Sequence, residues 1–347
     1  MTYLEVGHQL KNAQTVSGIG ITTRYTAMTI SNAYTRLSQS DIAIQIERLV
    51  KAVEEHDIPA FRFKGTRSGH EQIMPTRLSR YFDGVQQMID LFDDRCQHRY
   101  SEHLQAFWKA CQHVGLERSA AGPVCLNVER ADYLDHHRSM NLLVMKIRQL
   151  TREQWYRRKS SDRRYQSRDQ ESRVTEYTDS VLDRYARTVV VRVNLYYHKL
   201  SQVRQRVEQV FDDLDRFVAE RERNPIFDYE TGYICAVEQG EDRGYHIHAA
   251  FFFNGAQVWK DIYKAQQIGK LWECVTQGQG YFDSCNQDKS RYGEGLGIGV
   301  IHRNDREIRS HVHYAMHYLV KDDQQLRLRP IGARCLRLGQ QRRLSRR

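Results

Sequence analysis

Residues 244–254 read Gly-Tyr-His-Ile-His-Ala-Ala-Phe-Phe-Phe-Asn, and this run constrains the fold more than any other. It is apolar and aromatic, so residues 245–253 are expected to form a buried strand. Alternate side chains of a strand share a face, which puts His246 and His248 together and Ile247 opposite. Two adjacent imidazoles on a rigid strand make half of a divalent-metal site.

The strand has a natural partner. Residues 232–239 are also strand-forming, and residues 240–244 supply a turn centred near Asp242. If the hairpin is symmetric about that point, Glu238 faces His246 on the same side of the sheet. A carboxylate beside two histidines gives a mixed nitrogen and oxygen site with open positions, suited to Mn²⁺ or Mg²⁺. Composition alone yields about one His-x-His triplet in a chain with 15 His, and a second occurs at His311-Val312-His313. That one falls in an expected helix, where residues two apart do not share a face.

Around this hairpin the patterning is regular. Residues 188–198 are β-branched and aromatic, hence a strand. Residues 201–223 place Val203, Val207, Val210, Phe211, Leu214, Phe217 and Val218 on one helical stripe, and Asn224-Pro225 stops it. Residues 256–274 read as a second helix, and 281–284 and 297–303 as short strands. Asn304 is expected to cap a final helix reaching about Lys321. The order β-α-β-β-α-β predicts an α+β fold, a ferredoxin-like antiparallel sheet with helices on one face.

The first 150 residues read as mostly helical, with helices from about 41, over 75–93 and 100–114, and from 141, and a short strand at 124–128. No motif there carries chemistry. Residues 151–182 are charge-dense and almost without aliphatics, which predicts a charged linker and a domain boundary, with the second domain over 183–325. An Arg-rich tail, 326–347, follows; beyond Asp323 it carries eight Arg, among them Arg327 and Arg337, and no acid.

Lys and Arg exceed Asp and Glu by ten, and there are 20 Tyr. A basic, phenol-rich chain suits a polyanionic partner such as nucleic acid. The seven Cys form no Cys-x-x-Cys pair, which argues against a zinc ribbon and against a secreted disulfide framework. With no signal peptide or membrane span in the sequence, a cytosolic (cytoplasmic) location is expected.

On the final helix, Tyr314, Tyr318 and Lys321 are spaced four and three and form one stripe, continued backward by His311. Two phenols and an ammonium suit a nucleophile with a cationic helper, because a nearby metal or Lys favours the phenolate and stabilises charge on a phosphate under attack. Rings packed on the sheet with their hydroxyls at the rim would give the same spacing.

The His-Ile-His strand followed by Tyr314-Ala-Met-His-Tyr318-Leu-Val-Lys321 resembles the HUH endonuclease superfamily, the rolling-circle replication initiators and relaxases, over roughly residues 185–325. The two-tyrosine form is similar to the replication proteins of filamentous phages (inoviruses) and their prophage relatives. Position 317 is His where the two-tyrosine phage motif often has Lys, and the family's first motif is only loosely matched by residues 189–197. The resemblance implies nicking and joining of single-stranded DNA at a replication origin. In that mechanism a divalent metal, Mg²⁺ or Mn²⁺, held by His246, His248 and Glu238, polarises the phosphate. Tyr318 attacks and becomes linked to the 5′ phosphate, Lys321 steadies the transition state, and Tyr314 carries out a second transfer. A host helicase is a further expected partner. Two other readings remain open. Histidine-triad hydrolases also carry His-apolar-His but need a third His where this chain has Ala250, and a ferredoxin-like sheet can bind nucleic acid without catalysis.

Overall fold

The computed structural model of the chain describes residues 37–340, apart from 68, 93–96 and 321–324. In chain order its elements are α1 (Gln39–Glu55), β1 (Phe61–Gly65), β2 (Glu71–Pro75), α2 (Val85–Asp90), β3 (His98–Tyr100), α3 (Glu102–Val114), α4 (His136–Thr151), α5 (Gln154–Leu182), β4 (Arg187–Tyr197), α6 (Lys199–Gln202), α7 (Val207–Glu220), β5 (Glu230–Gly240), β6 (Gly244–Asn254), α8 (Asp261–Val275), β7 (Gly280–Ser284), β8 (Gly299–His302), α9 (Arg306–His317), β9 (Leu328–Pro330) and β10 (Leu336–Leu338).

The β-branched and aromatic runs around the His-Ile-His triplet become the three long strands β4, β5 and β6, each of 11 residues. The main sheet runs β10-β5-β6-β4-β7, with β8 pairing the start of β4, and all of these pairings are antiparallel. β6 therefore sits in the middle. The β5–β6 hairpin closes Gly240 onto Gly244, and Gly244 adopts φ 59°, a left-handed conformation that glycine takes without strain.

The two faces of the sheet differ. Val189, Val191, Val193 and Leu195 of β4, with Ile247, Ala249, Phe251 and Phe253 of β6, meet α7 and α8 and share one core with α1, α3 and α4. The approach of α8 to β7 is close: a Cβ on Gly269 would lie 2.1 Å from the Phe282 ring. On the other face, Val190, Ile234, Ala236, Ala250 and Phe252 are covered by Val174, Tyr177 and Val181 of α5 and by Val312, Ala315 and Met316 of α9. Helices thus cover both faces, which corrects the expectation of one. The alternate residues of these strands are apolar over half their length and need their own cover.

The expected linker is also corrected, because residues 154–182 form the 29-residue helix α5. Its charges face water along most of its length; Tyr156 and Ser167 are buried singly, and its continuous buried stripe (Val174, Tyr177, Thr178, Val181, Leu182) occupies the last third. Nor does a boundary fall there. Every described residue belongs to one unit, residues 36–347. The Gln39 side chain accepts from the Val207 amide at 2.9 Å, and Gln239 Nε2 donates to the Ser40 carbonyl at 3.0 Å.

Smaller differences follow from local chemistry. α1 begins at a capping box between Ser38 and Asp41. In place of the expected helix 75–93, the described residues hold a 3-10 turn, Ser79–Tyr81, and the short α2, and β1 and β2 pair as a hairpin that sequence patterning missed because most of its residues are exposed. Residues 124–128 make isolated bridges rather than a strand. The expected helix 201–223 divides into α6 and α7. α9 is capped by Asp305, not Asn304, and ends at His317 in a 3-10 turn, Tyr318–Val320. Part of the Arg-rich tail is built into the fold, since β9 pairs with β3 and β10 with β5. Arg327 donates to the Gln239 carbonyl at 2.7 Å and to Glu47 at 2.6 Å. Lys321, Arg342, Arg343, Arg346 and Arg347 lie outside the described residues. Six of the seven cysteines are described, and none of these forms a disulfide. No helix among the described residues is long and apolar enough to cross a membrane.

Candidate metal centre and tyrosine cleft

The strand pairing puts Glu238 of β5 directly across from His246 of β6, and Asn194 of β4 directly across from His248. Glu238, His246 and His248 are all buried, and ligand atoms from the three lie within 4.8 Å of one another. Glu238 Oε2 is 3.1 Å from His248 Nε2 and 3.7 Å from His246 Nε2.

Both imidazoles are oriented by their other nitrogen. His246 Nδ1 is 3.0 Å from the Gly244 carbonyl, which can only accept, so Nδ1 carries the proton. His248 Nδ1 is 2.5 Å from Asn194 Oδ1. The Asn194 amide nitrogen is turned the other way, 3.4 Å from Asp283 Oδ2 and 3.5 Å from Cys285 Sγ, so its oxygen accepts from His248. In the neutral rings this leaves both Nε2 lone pairs aimed at the Glu238 carboxylate, the tautomer that a metal-ligating histidine requires. Burial, helped by the neighbouring His248, pushes the His246 pKa down to about 4, which keeps that ring neutral at physiological pH.

The histidines form the floor of an open cleft of about 670 Å³, whose walls include Arg192, Asn194, Tyr196, Arg243, Tyr314 and Tyr318. Tyr318 stands edge-on to His248 with ring centroids 5.8 Å apart. Tyr314, one turn earlier, is 72% exposed and lines the same cleft. Tyr196 stacks on Tyr281 at 5.2 Å, lies 5.5 Å from the His246 ring, and carries the Arg243 guanidinium over its own ring at 4.5 Å. Burial pushes the Tyr196 hydroxyl up to about 12, so it stays a phenol.

α5 fixes where Tyr318 stands. Arg309 of α9 reaches Asp179 at 2.6 Å and Asp183 at 2.5 Å, His313 reaches Asp179 at 3.0 Å, and His317 is 2.6 Å from the Thr175 hydroxyl. These contacts turn His313 and His317 toward α5, so the second triplet brings no imidazole pair together.

The candidate residues therefore sort clearly. Glu238, His246 and His248 converge, Tyr318 and Tyr314 border the same cleft, and Lys321 lies outside the described residues. Two residues were missed from the sequence, Asn194 and Arg192. Their signal was present as Val-Arg-Val-Asn in β4, polar residues two apart in an otherwise buried strand and hence on one face.

The fold and site define a buried centre of two histidines and one carboxylate on the middle strands of an antiparallel sheet. Residues 150–277 match the family model of the YagK/YfjJ C-terminal domain. The matched segment runs from the end of α4 to just past α8, so it holds Arg192, Asn194, Glu238, His246 and His248 but ends before Tyr318. No curated protein and no solved structure matches the chain.

Proposed function

We propose that this protein nicks and rejoins single-stranded DNA through a tyrosine nucleophile and a divalent metal, as an HUH-type initiator of rolling-circle replication of a phage-like or plasmid element. The observation that carries this reading is the convergence of Glu238 with His246 and His248, the two histidines lining the floor of a cleft walled by Tyr318. Supporting it, the unit β4-α7-β5-β6-α8-β7 has spatial order β5-β6-β4-β7, the arrangement of a ferredoxin-like sheet.

The residues present suit a divalent cation. Each ring presents Nε2 with its other nitrogen already committed, and the carboxylate supplies the oxygen that Mg²⁺ or Mn²⁺ prefers. Such an ion, when bound, polarises a scissile phosphate and eases departure of its 3′ oxygen. The chain's own residues account for the rest. Tyr318 Oη loses its proton to solvent and forms the new bond to phosphorus as the P–O3′ bond breaks. The leaving 3′ oxygen takes up a proton, and the 5′ phosphate stays on the tyrosine. Attack by a 3′ hydroxyl reverses these bonds and rejoins the strand. Tyr314, exposed on the same wall, is the residue proposed for a second transfer, and Lys321 remains the expected cationic helper.

Incubation of the protein with a pool of single-stranded oligonucleotides and Mn²⁺, resolved on a denaturing gel, tests the reading. A covalent protein–DNA band that EDTA prevents is expected. Tight binding across the pool with no covalent band would instead make the protein a non-catalytic nucleic-acid-binding module.

A further inference from the structure

Arg192 is the one described arginine that lines the tyrosine cleft from within a buried strand position, at 4% exposure. Its neighbours on β4 are spoken for: Asn194 orients His248, and Tyr196 packs beside His246. Arg192 has no such assignment. Its guanidinium lies over the Tyr318 ring, 4.7 Å from the centroid, while its Nε makes no hydrogen bond among the described residues. No ion pair joins it to a carboxylate of the described residues. Of the acids that line the cleft, Asp283 faces Asn194 and Arg291 and Glu241 pairs with Arg48, while Glu238 faces the two histidines.

A guanidinium cannot shed its proton at any accessible pH. A buried cation without an anion costs several kcal/mol, and stacking on a phenol offsets only about 1–2 kcal/mol of that. Stacking also uses the face of the guanidinium and leaves its in-plane N–H donors for a ligand. Arg192 is paired with Ala250, and His248, paired with Asn194 two residues on, is its diagonal neighbour across the β4–β6 pairing.

We propose that Arg192 is an anion-binding residue that holds a phosphodiester oxygen of single-stranded DNA in the tyrosine cleft, beside the Tyr318 ring and the histidine floor. The identity of the anion as a DNA phosphate rests on the proposed nicking function; the anion site itself rests on the burial and the uncommitted donor of Arg192. Placed there, the cation draws the strand down to the nucleophile and adds to the charge neutralisation expected of Lys321.

Binding of a fluorescent single-stranded oligonucleotide, measured in EDTA so that no nicking occurs, tests this with Arg192→Gln and Arg192→Lys beside the wild-type chain. Arg192→Gln is expected to weaken binding about tenfold and to reduce the slope of log affinity against log salt by about 0.7, the value of one lost phosphate contact on a single strand. Arg192→Lys keeps the slope and loses part of the affinity, because a point charge replaces a fork. Should Arg192→Gln fail to fold, the Nε–H resonance of Arg192 in the wild-type chain, assigned by its loss in Arg192→Lys, is titrated with inorganic phosphate and is expected to shift and saturate. Unchanged affinity and slope in a folded Arg192→Gln, or an Nε–H that ignores phosphate, overturns the proposal. The two readings separate: Mn²⁺-dependent adducts with unaltered Arg192→Gln binding would remove the anion site alone. Lost binding in Arg192→Gln without any adduct from the wild-type chain would remove the nuclease alone.

Discussion

The chain carries the same three-residue pattern twice, His246-Ile247-His248 in β6 and His311-Val312-His313 in α9, and the two do opposite things. In the strand the side-chain period of two brings both rings to one face, against Glu238 across the hairpin. In the helix the period of 3.6 sends them apart, and His313 is taken up by Asp179 of α5. Composition made the two equivalent. Secondary structure alone decided that one triplet is a candidate metal centre and the other a helix-packing contact.

The sharpest way to break this comparison is to remove one ring from each. His248→Ala is expected to lower Mn²⁺ affinity by on the order of 1,000-fold, measured by calorimetry, because a buried ligand is lost and the remaining pair is incomplete. His313→Ala is expected to leave Mn²⁺ affinity unchanged. Equal losses in the two variants would remove the distinction between strand and helix.

A third histidine separates burial from site formation. His103 of α3 is as buried as the strand pair, among Glu47, Glu102, Lys51, Arg163 and Arg327, and belongs to no metal cluster among the described residues. Burial, against the opposing pull of Glu47, lowers its pKa to about 4. Its folded pKa lies below the unfolded value near 6.5, so the unfolded chain binds the proton first as pH falls. Stability from this group is complete above about 6.5 and is lost on acidification toward 4. Urea denaturation at pH 7 and pH 4 should show the wild-type chain losing roughly 3 kcal/mol more than His103→Gln. Matching losses would mean that His103 does not titrate with folding. Glu47 acts in a lower window. Its burial alone would raise its pKa, but the Arg327 charge and hydrogen bonds from Lys51 and Arg327 hold it down to about 2, so its contribution persists until pH falls below about 4.5 and is lost on the way to 2.

Two smaller effects refine the picture. Asn194→Leu, which removes the acceptor for His248 Nδ1, should weaken Mn²⁺ binding about 10- to 100-fold, whereas Thr175→Val, the equivalent change beside His317, should not alter it. Smallest of all, the half-exposed His313–Asp179 pair should contribute no more than about 0.5 kcal/mol, so His313→Ala should shift the urea midpoint only slightly.

Much of the centre was legible in the sequence because strands fix side-chain direction by parity. Once residues 232–239 and 245–253 were read as a hairpin about Asp242, Glu238 had to face His246, and it does. What escaped needed tertiary information. α5 looked like a linker because its packed stripe, Val174 to Leu182, is short beside a long solvated stretch. β9 and β10 are three residues each, too short for any periodicity to show, and are held by partners more than 90 residues away in sequence. Arg192 was hidden by the opposite problem. Its alternation with Asn194 is visible in the sequence, but so strongly apolar a strand reads as core throughout, and the structure separates Val191, packed in the core shared with α7 and α8, from Arg192, turned toward Tyr318. The roles of α9 and α5 as a pair could not be read from either alone, since Arg309 and His313 meet Asp179 across 130 and 134 residues.

In the proposed reaction Tyr318 attacks a phosphate held over His246 and His248, with Glu238 beside them. Peptide mapping by mass spectrometry after reaction with single-stranded DNA and Mn²⁺, followed by nuclease and trypsin digestion, tests it most directly. The expected result is a nucleotide remnant on the peptide containing Tyr318, absent from Tyr318→Phe and from reactions in EDTA. A remnant on a residue outside the cleft, or an adduct that forms equally well in Tyr318→Phe and His248→Ala, would contradict it.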